Sequence, residues 1–157
     1  MTPTDDLDRL MTVMESAFDP IYGEAWTRRQ VEDALIIGNC HAFLAGPSGQ
    51  AIAPGEEAAG FSLSRLGYEE EELLLFAVRP EYRCRGIGRA ILQSFAQAAT
   101  NRGARRLILE MRRGNAAESL YRAFGFTPVG ERKEYYRTPG GARIDAITFA
   151  LEIDRAV

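Results

Sequence analysis

The sequence predicts a mixed α/β domain, one sheet of about six strands with helices on both faces. Three observations predict it. Apolar residues recur at helical spacing in some segments and at strand spacing in others, in the order ααβββαβαββ. A continuous apolar run over 73–78 reads as a buried central strand. Strong turn signals, Gly46-Pro47-Ser48-Gly49 and Thr138-Pro139-Gly140-Gly141, separate periodic segments.

Each element has a local cause. Leu7, Leu10, Met11, Met14 and Phe18 share a helix face behind Thr4, the expected N-cap, with Asp5 and Asp6 in the first turn. Asp19-Pro20 ends that helix. Thr27-x-x-Gln30 has the form of a capping box and opens a second helix through Val31, Ala34 and Leu35, stopped near Gly38. Strand 40–45 leads into the first turn, and a polar loop reaches Glu57. Strands 59–66 and 71–79 flank a turn at Gly67, and Arg79-Pro80 breaks the second. A glycine-rich turn then opens a helix to about Asn101, with Ile87, Ala90, Ile91, Phe95 and Ala98 as its buried stripe and Gly103 as its stop. Strand 106–111, a short helix 116–124 ended by Gly125, and strands 127–136 and 143–153 complete the chain.

With 157 residues and no linker or repeat, the chain is expected to be one domain over 1–157. No apolar run approaches the ~20 residues of a membrane span. The acidic N-terminus lacks a basic-then-apolar export signal, and two cysteines, Cys40 and Cys84, make no disulfide framework. A cytoplasmic protein, monomer or homodimer, is the expectation. The net charge of −3 hides a split: residues 1–78 carry −10, residues 79–144 carry +9 and residues 145–157 carry −2. The arginines are not interleaved with stacking aromatics, so a nucleic-acid partner is not expected. His41 is the single histidine and has no ligand partners in sequence, so it reads as structural and no metal is expected.

The first chemical signal is Arg83-x-x-Gly86-x-Gly88 between the central strand and a helix. The first turn of a helix leaves backbone N–H groups unpaired and carries partial positive charge, and glycine lets an anion approach closely. Arg83, Arg85 and Arg89 add cations. Spacing alone fits a pyrophosphate cradle and a basic tight turn equally. The phosphate-loop lysine and the third glycine of a dinucleotide fingerprint, which would fall at Ile91, are both missing. In strand 106–111, Leu107, Leu109 and Met111 face one way and Ile108 and Glu110 the other, leaving Glu110 a lone acid near a strand end.

The run VRPEYRCRGIGRAIL, then LILEM, then LYRAFGF, resembles the Gcn5-related N-acetyltransferases, GNAT, over residues 27–153 and most strongly over 73–136. Trp26-Thr27, Glu110, Leu120-Tyr121, Gly125-Phe126 and Tyr135-Tyr136 are most like the bacterial ribosomal-protein alanine N-acetyltransferases. The resemblance implies the GNAT fold, a mixed, mostly antiparallel sheet, here without the family's first strand because only Met1-Thr2-Pro3 precede the first helix. It implies an acetyl-coenzyme A-dependent acyltransferase without an acyl-enzyme. Its acceptor would be a primary amine, the N-terminal α-amine of a protein or peptide, with a small-molecule amine as the alternative. A non-catalytic acyl-coenzyme A-binding module is the rival from another class.

By the same resemblance, Arg83, Cys84, Arg85, Gly86, Ile87, Gly88 and Arg89 form the pyrophosphate loop. The strand residues Phe76, Ala77 and Val78 receive the pantetheine arm, with Phe76 and Val78 supplying backbone groups and an N–H near Val78 polarising the thioester. Glu110 is the general base and Tyr121 the acid that protonates the leaving thiolate. Trp26, Tyr135 and Tyr136 line the acceptor groove. Relatives of this subgroup place an Asn seven positions before the active-site Tyr; here Asn115 lies six before Tyr121 and Gly114 seven, with Asn115 the candidate coenzyme contact. The acidic first half is expected to supply much of the acceptor side, where it would attract a cationic amine.

Overall fold

In the computed structural model, which describes residues 3–153 and side chains from residue 6 to 153, the capping box at Thr27 is formed. The Thr27 hydroxyl accepts from the Gln30 N–H at 3.2 Å and the Gln30 side chain accepts from the Thr27 N–H at 2.7 Å. This box opens α2 (Arg28–Ile37), which ends at Gly38 with φ 101. Helix α1 (Pro3–Ala17) begins two residues earlier than expected, because proline is pre-organised for the first helical turn. Thr4 therefore lies inside that turn, and the side chains of Thr4 and Asp5 fall outside the described residues. Among the described residues no strand precedes α1.

The sheet comprises β1 (Cys40–Ala45), β2 (Gly60–Leu66), β3 (Glu70–Val78), β4 (Arg106–Arg112), β5 (Thr127–Arg137) and β6 (Arg143–Glu152). Their spatial order is β1-β2-β3-β4-β6-β5, antiparallel except where β3 meets β4. Helices α3 (Ile87–Asn101) and α4 (Glu118–Phe124) lie on one face, α1 and α2 on the other. Helix α4 starts two residues later than expected. The preceding residues form a turn instead, in which the Asn115 side chain accepts from the Ala117 N–H at 2.8 Å.

Strand β3 does not alternate uniformly. Leu63 pairs with Leu75 and Ser64 with Leu73, so Leu74 has no partner on β2. An extra residue bends a strand and reverses the faces of everything beyond it. Before the bulge, Leu73 packs with Leu92 and Phe95 of α3. After it, Leu75 and Ala77 pack with Leu10 and Met14 of α1, and Phe76 and Val78 turn toward Ile87 and Ile91 of α3. Fully burying such aliphatic and aromatic side chains is worth about 1.5–3 kcal/mol each, so the phase change feeds both halves of the core.

Parallel pairing of β3 with β4 ends at the same point. It runs from Glu70 with Arg106 to Leu73 with Leu109 and goes no further, while β4 continues to pair with β6 as far as Arg112. Beyond Leu73 the two strands separate and a cleft opens between them.

Ahead of the bulge, Glu71 is fully buried. Arg102, at the end of α3, donates to it through Nε at 2.9 Å and Nη2, and the Ser64 hydroxyl donates at 2.5 Å. A buried carboxylate is tolerable only with such partners. Arg102→Met is expected to destabilise the fold by about 3 kcal/mol, lowering the thermal midpoint by about 6–12 °C. Calorimetry checks this.

No helix among the described residues is long and apolar enough to cross a membrane.

Candidate active site

The end of β3 presents its backbone to the cleft. Arg79 N–H donates to Ala59 O at 2.8 Å, which sets the parity of the β2–β3 ladder. Ala77 then bonds to Phe61, and the N–H and C=O groups of Phe76 and Val78 point away from β2, toward the separated β4. One of these groups is taken. Arg83 Nε donates to Val78 O at 3.0 Å, and its Nη2 donates to Ala17 O at the end of α1 at 2.9 Å. Arg83 thus braces β3 against α1.

The turn after β3 is an open cradle. Cys84 and Gly86 both adopt left-handed backbone, φ 62 and φ 80, and a Cβ on Gly86 would meet open space. Gly88 serves the opposite need: a Cβ there would lie 3.0 Å from Leu120 and 3.2 Å from Phe76, so its absence lets α3 settle onto α4 and β3. Among the described residues, none accepts from the amides of residues 84–89; the first bond of α3 runs from Ala90 N–H to Gly86 O. Successive free amides at a helix start form a concavity suited to an anion. Arg85 lies over the Tyr82 ring at 5.7 Å and Arg89 over Phe124 at 6.0 Å, while Ile87 is buried beneath the turn.

Two joined chambers fill the cleft, of about 350 and 370 Å³. Phe18, Tyr22, Glu24, Phe76, Asn115 and Tyr121 line both. Ala77, Val78 and Arg83, at the end of β3 and in the turn just before the cradle, line one chamber. Trp26, Glu110 and Tyr136 line the other. The alternation read from the sequence holds: Leu107, Leu109 and Met111 are buried and Glu110 faces the opposite side.

Glu110 accepts from the Tyr136 hydroxyl at 3.3 Å and lies 3.6 Å from Arg132 Nε. Tyr121 is buried, its ring 5.8 Å from that of Phe76 and 6.1 Å from that of Phe126. Burial, and then the charge of Glu24, push its phenol well above the ordinary tyrosine range. Burial and then the Glu110 charge do the same to Tyr136. Both phenols therefore stay protonated, and so able to donate, through neutral and mildly alkaline pH.

Tyr135 stands apart from the chambers. It is 52% exposed, packs edge-on against Tyr136 at 5.5 Å and carries Arg132 over its ring. It sits where residues 133–135 bulge from β5 opposite Asp145, with Glu134 at φ 52. The acids of residues 1–78 do not gather at the chambers. Asp6, Asp8, Asp33, Glu57, Glu71 and Glu72 lie in ion pairs elsewhere, and among the described residues of that half only the acids Asp19 and Glu24 line either chamber.

Tyr22, Glu24 and Arg112 were missed from the sequence. Arg112 lies two residues beyond Glu110 and so shares its strand face, a signal that alternation carries. Its partner Glu24 is 88 positions away and had no local signal.

The model of the acetyltransferase (GNAT) family matches residues 8–126. The [ribosomal protein bS18]-alanine N-acetyltransferase of Escherichia coli strain K12 is 40% identical over 96 residues, covering 60% of this chain and 64% of that enzyme. The match thus spans just under two thirds of such curated relatives. The crystal structure of the Escherichia coli ribosomal-protein-S18-alanine N-acetyltransferase superposes with a TM-score of 0.81 at 29% identity, over 99% of this chain and 93% of that one. A Bacillus anthracis crystal structure in complex with acetyl coenzyme A shares the fold at a TM-score of 0.58 and 22% identity, over 64% of this chain and 58% of that one.

The raised phenol of Tyr121 predicts that it adds nothing to tyrosine ionisation near the ordinary value of about 10. In a 295 nm absorbance titration, Tyr121→Phe is expected to leave the curve below about pH 10.5 unchanged; losing one phenolate step in that range is the opposite result.

Proposed function

The chain belongs to the acetyltransferase (GNAT) family, and from that premise we propose that it moves an acetyl group from acetyl-coenzyme A directly to the N-terminal α-amine of a protein or peptide. The observation that carries this reading is the joined pair of chambers. One lies along the end of β3, where Phe76 N–H, Phe76 C=O and Val78 N–H are free, and is lined by Arg83, next in sequence to a cradle of free amides. The other holds a carboxylate, Glu110, and a buried neutral phenol, Tyr121, lies against both. The names of the curated relatives support the α-amine as acceptor, and a single domain over the whole chain fits the reading.

The residues present suit the donor. The amides of residues 84–89 would hold the pyrophosphate, with Arg85 and Arg89 beside them. Arg83 would act indirectly, because its guanidinium already bonds the carbonyls of Val78 and Ala17. Phe76 N–H, Phe76 C=O and Val78 N–H remain for the pantetheine arm, which would add to β3 as a strand does. Acetyl-coenzyme A supplies the activated acetyl group.

The chain's own groups would then move two protons. Glu110, directly or through water, takes the proton of the acceptor ammonium, so that its nitrogen lone pair can form the new bond to the acetyl carbon. Val78 N–H stabilises the negative charge that develops on the thioester oxygen. As the carbon–sulfur bond breaks, Tyr121 gives its proton to the departing thiolate and is restored by the second proton that the nitrogen sheds as the amide forms. A phenol held neutral by burial is suited to that task. Asn115, half-buried at the start of α4 with its side-chain oxygen bonded to Ala117, would contact the donor from its other side-chain atom. Trp26 and Tyr136 would flank the acceptor, and Tyr135 would meet it at the rim.

A coenzyme A-release assay across peptides with different N-termini, alanine among them, and small amines tests the activity. Release with peptides is expected, and none across the panel would favour a binding module. Glu110→Gln and Tyr121→Phe are each expected to lower kcat by about 10²–10⁴-fold while leaving acetyl-coenzyme A affinity near wild type. Near-native turnover in both would remove these roles.

A further inference from the structure

The segment 20–26 crosses the mouth of the cleft and meets the core only at its end, where the half-buried Trp26 packs against the cluster under α1. Its first three residues form a single 3-10 turn, capped by Asp19 through the Ile21 N–H at 3.0 Å, and none of them is buried. Gly23 ends the turn in left-handed backbone, φ 63, and a Cβ there would lie 3.2 Å from the ring of Pro139 in the β5–β6 turn. Tyr22 and Glu24 line both chambers and Trp26 lines the one that contains Glu110.

The segment is held on its inner side by one residue of β4. The Arg112 guanidinium lies 3.5 Å from the centre of the Tyr22 ring, and its Nε donates to Glu24 Oε1 at 3.1 Å. The Arg112 and Glu24 side chains are only 13% and 21% exposed. A planar guanidinium can stack and donate at once, which a lysine ammonium cannot. Arg112 stands on the same strand face as Glu110, so the residue that fixes the segment and the residue that faces the acceptor chamber share one rigid strand.

We infer that Arg112 is a positioning residue for the acceptor: by stacking on Tyr22 and holding Glu24 it fixes segment 20–26 as the wall between the chambers, and so sets where the acceptor amine meets Glu110. This rests on the acceptor reading above. Arg112, Tyr22 and Glu24 also line the chamber beside Val78 and Arg83, but the donor would be held there by the β3 backbone and the amides of residues 84–89, so loosening the segment, whose turn contributes no buried residue, acts chiefly on the acceptor.

Trp26 is the chain's single tryptophan, so its fluorescence reports the segment without reference to activity. Arg112→Met is expected to shift Trp26 emission to longer wavelength and raise its acrylamide quenching, with a thermal midpoint near wild type. The acceptor KM rises about tenfold while the acetyl-coenzyme A KM stays within about twofold. Arg112→Lys, which keeps the charge without the stack, falls between. Unchanged emission and quenching in Arg112→Met, or an equal rise in both KM values, would overturn the proposal. If the wild type acetylates no amine, the function proposed above fails, and the fluorescence comparison still decides the clamp.

Discussion

The unpaired Leu74 is the constraint on which the rest of the site depends. One residue more on β3 than on β2 changes the phase of the strand between Leu73 and Leu75. The residues before it serve the α3 face, including Glu71, while Leu75 and Ala77 serve the α1 face. The bend ends the pairing with β4 at Leu73 and Leu109. A parallel strand in the middle of a sheet normally satisfies its backbone on both sides. Here Phe76 N–H, Phe76 C=O and Val78 N–H are left for something else, and the cleft they face is the one that contains Glu110 and Tyr121.

Around that cleft the charges are arranged by local pairing rather than by half of the chain. The guanidinium of Arg83 ties the end of β3 to α1, Arg112 ties β4 to segment 20–26, and Arg102 neutralises the buried Glu71. Each joins two elements distant in sequence. Among the described residues three ion pairs, Arg79–Glu57, Arg102–Glu71 and Arg112–Glu24, join the two stretches, so the split of −10 against +9 is only in part the two sides of such pairs, and the free amides of residues 84–89 are a separate, backbone-borne positive region. The phenols of Tyr121 and Tyr136 stay neutral because they are buried beside carboxylates, which makes them donors without adding charge.

Periodicity was enough to read the order of the elements, most of their boundaries to within two residues, and the direction in which Glu110 points. It could not reveal the bulge. Leu73, Leu74, Leu75 and Phe76 are all apolar, so no polar residue marks the place where the phase slips. The glycine loop was legible because Gly86 and Gly88 answer to backbone geometry. The use of Arg83 was not, since a basic residue beside a cradle reads as an anion ligand until its acceptors, Val78 O and Ala17 O, are seen. Tyr22 and Glu24 sit in a segment without periodicity, and what brings them to the site is Arg112, whose contacts exist only after folding. Tyr135 and Tyr136 read as one pair, but the distortion of β5 opposite Asp145 leaves only Tyr136 on a chamber wall.

The strand separation beyond Leu73 leaves Phe76 N–H, Phe76 C=O and Val78 N–H to pair with the acyl donor. Amide hydrogen exchange at single-residue resolution, with and without acetyl-coenzyme A, tests it most directly. The account predicts that the Phe76 and Val78 amides exchange readily in the free protein and become protected on binding, together with the amides of residues 84–89. Protection confined to residues 84–89, with Phe76 and Val78 unchanged, would contradict it.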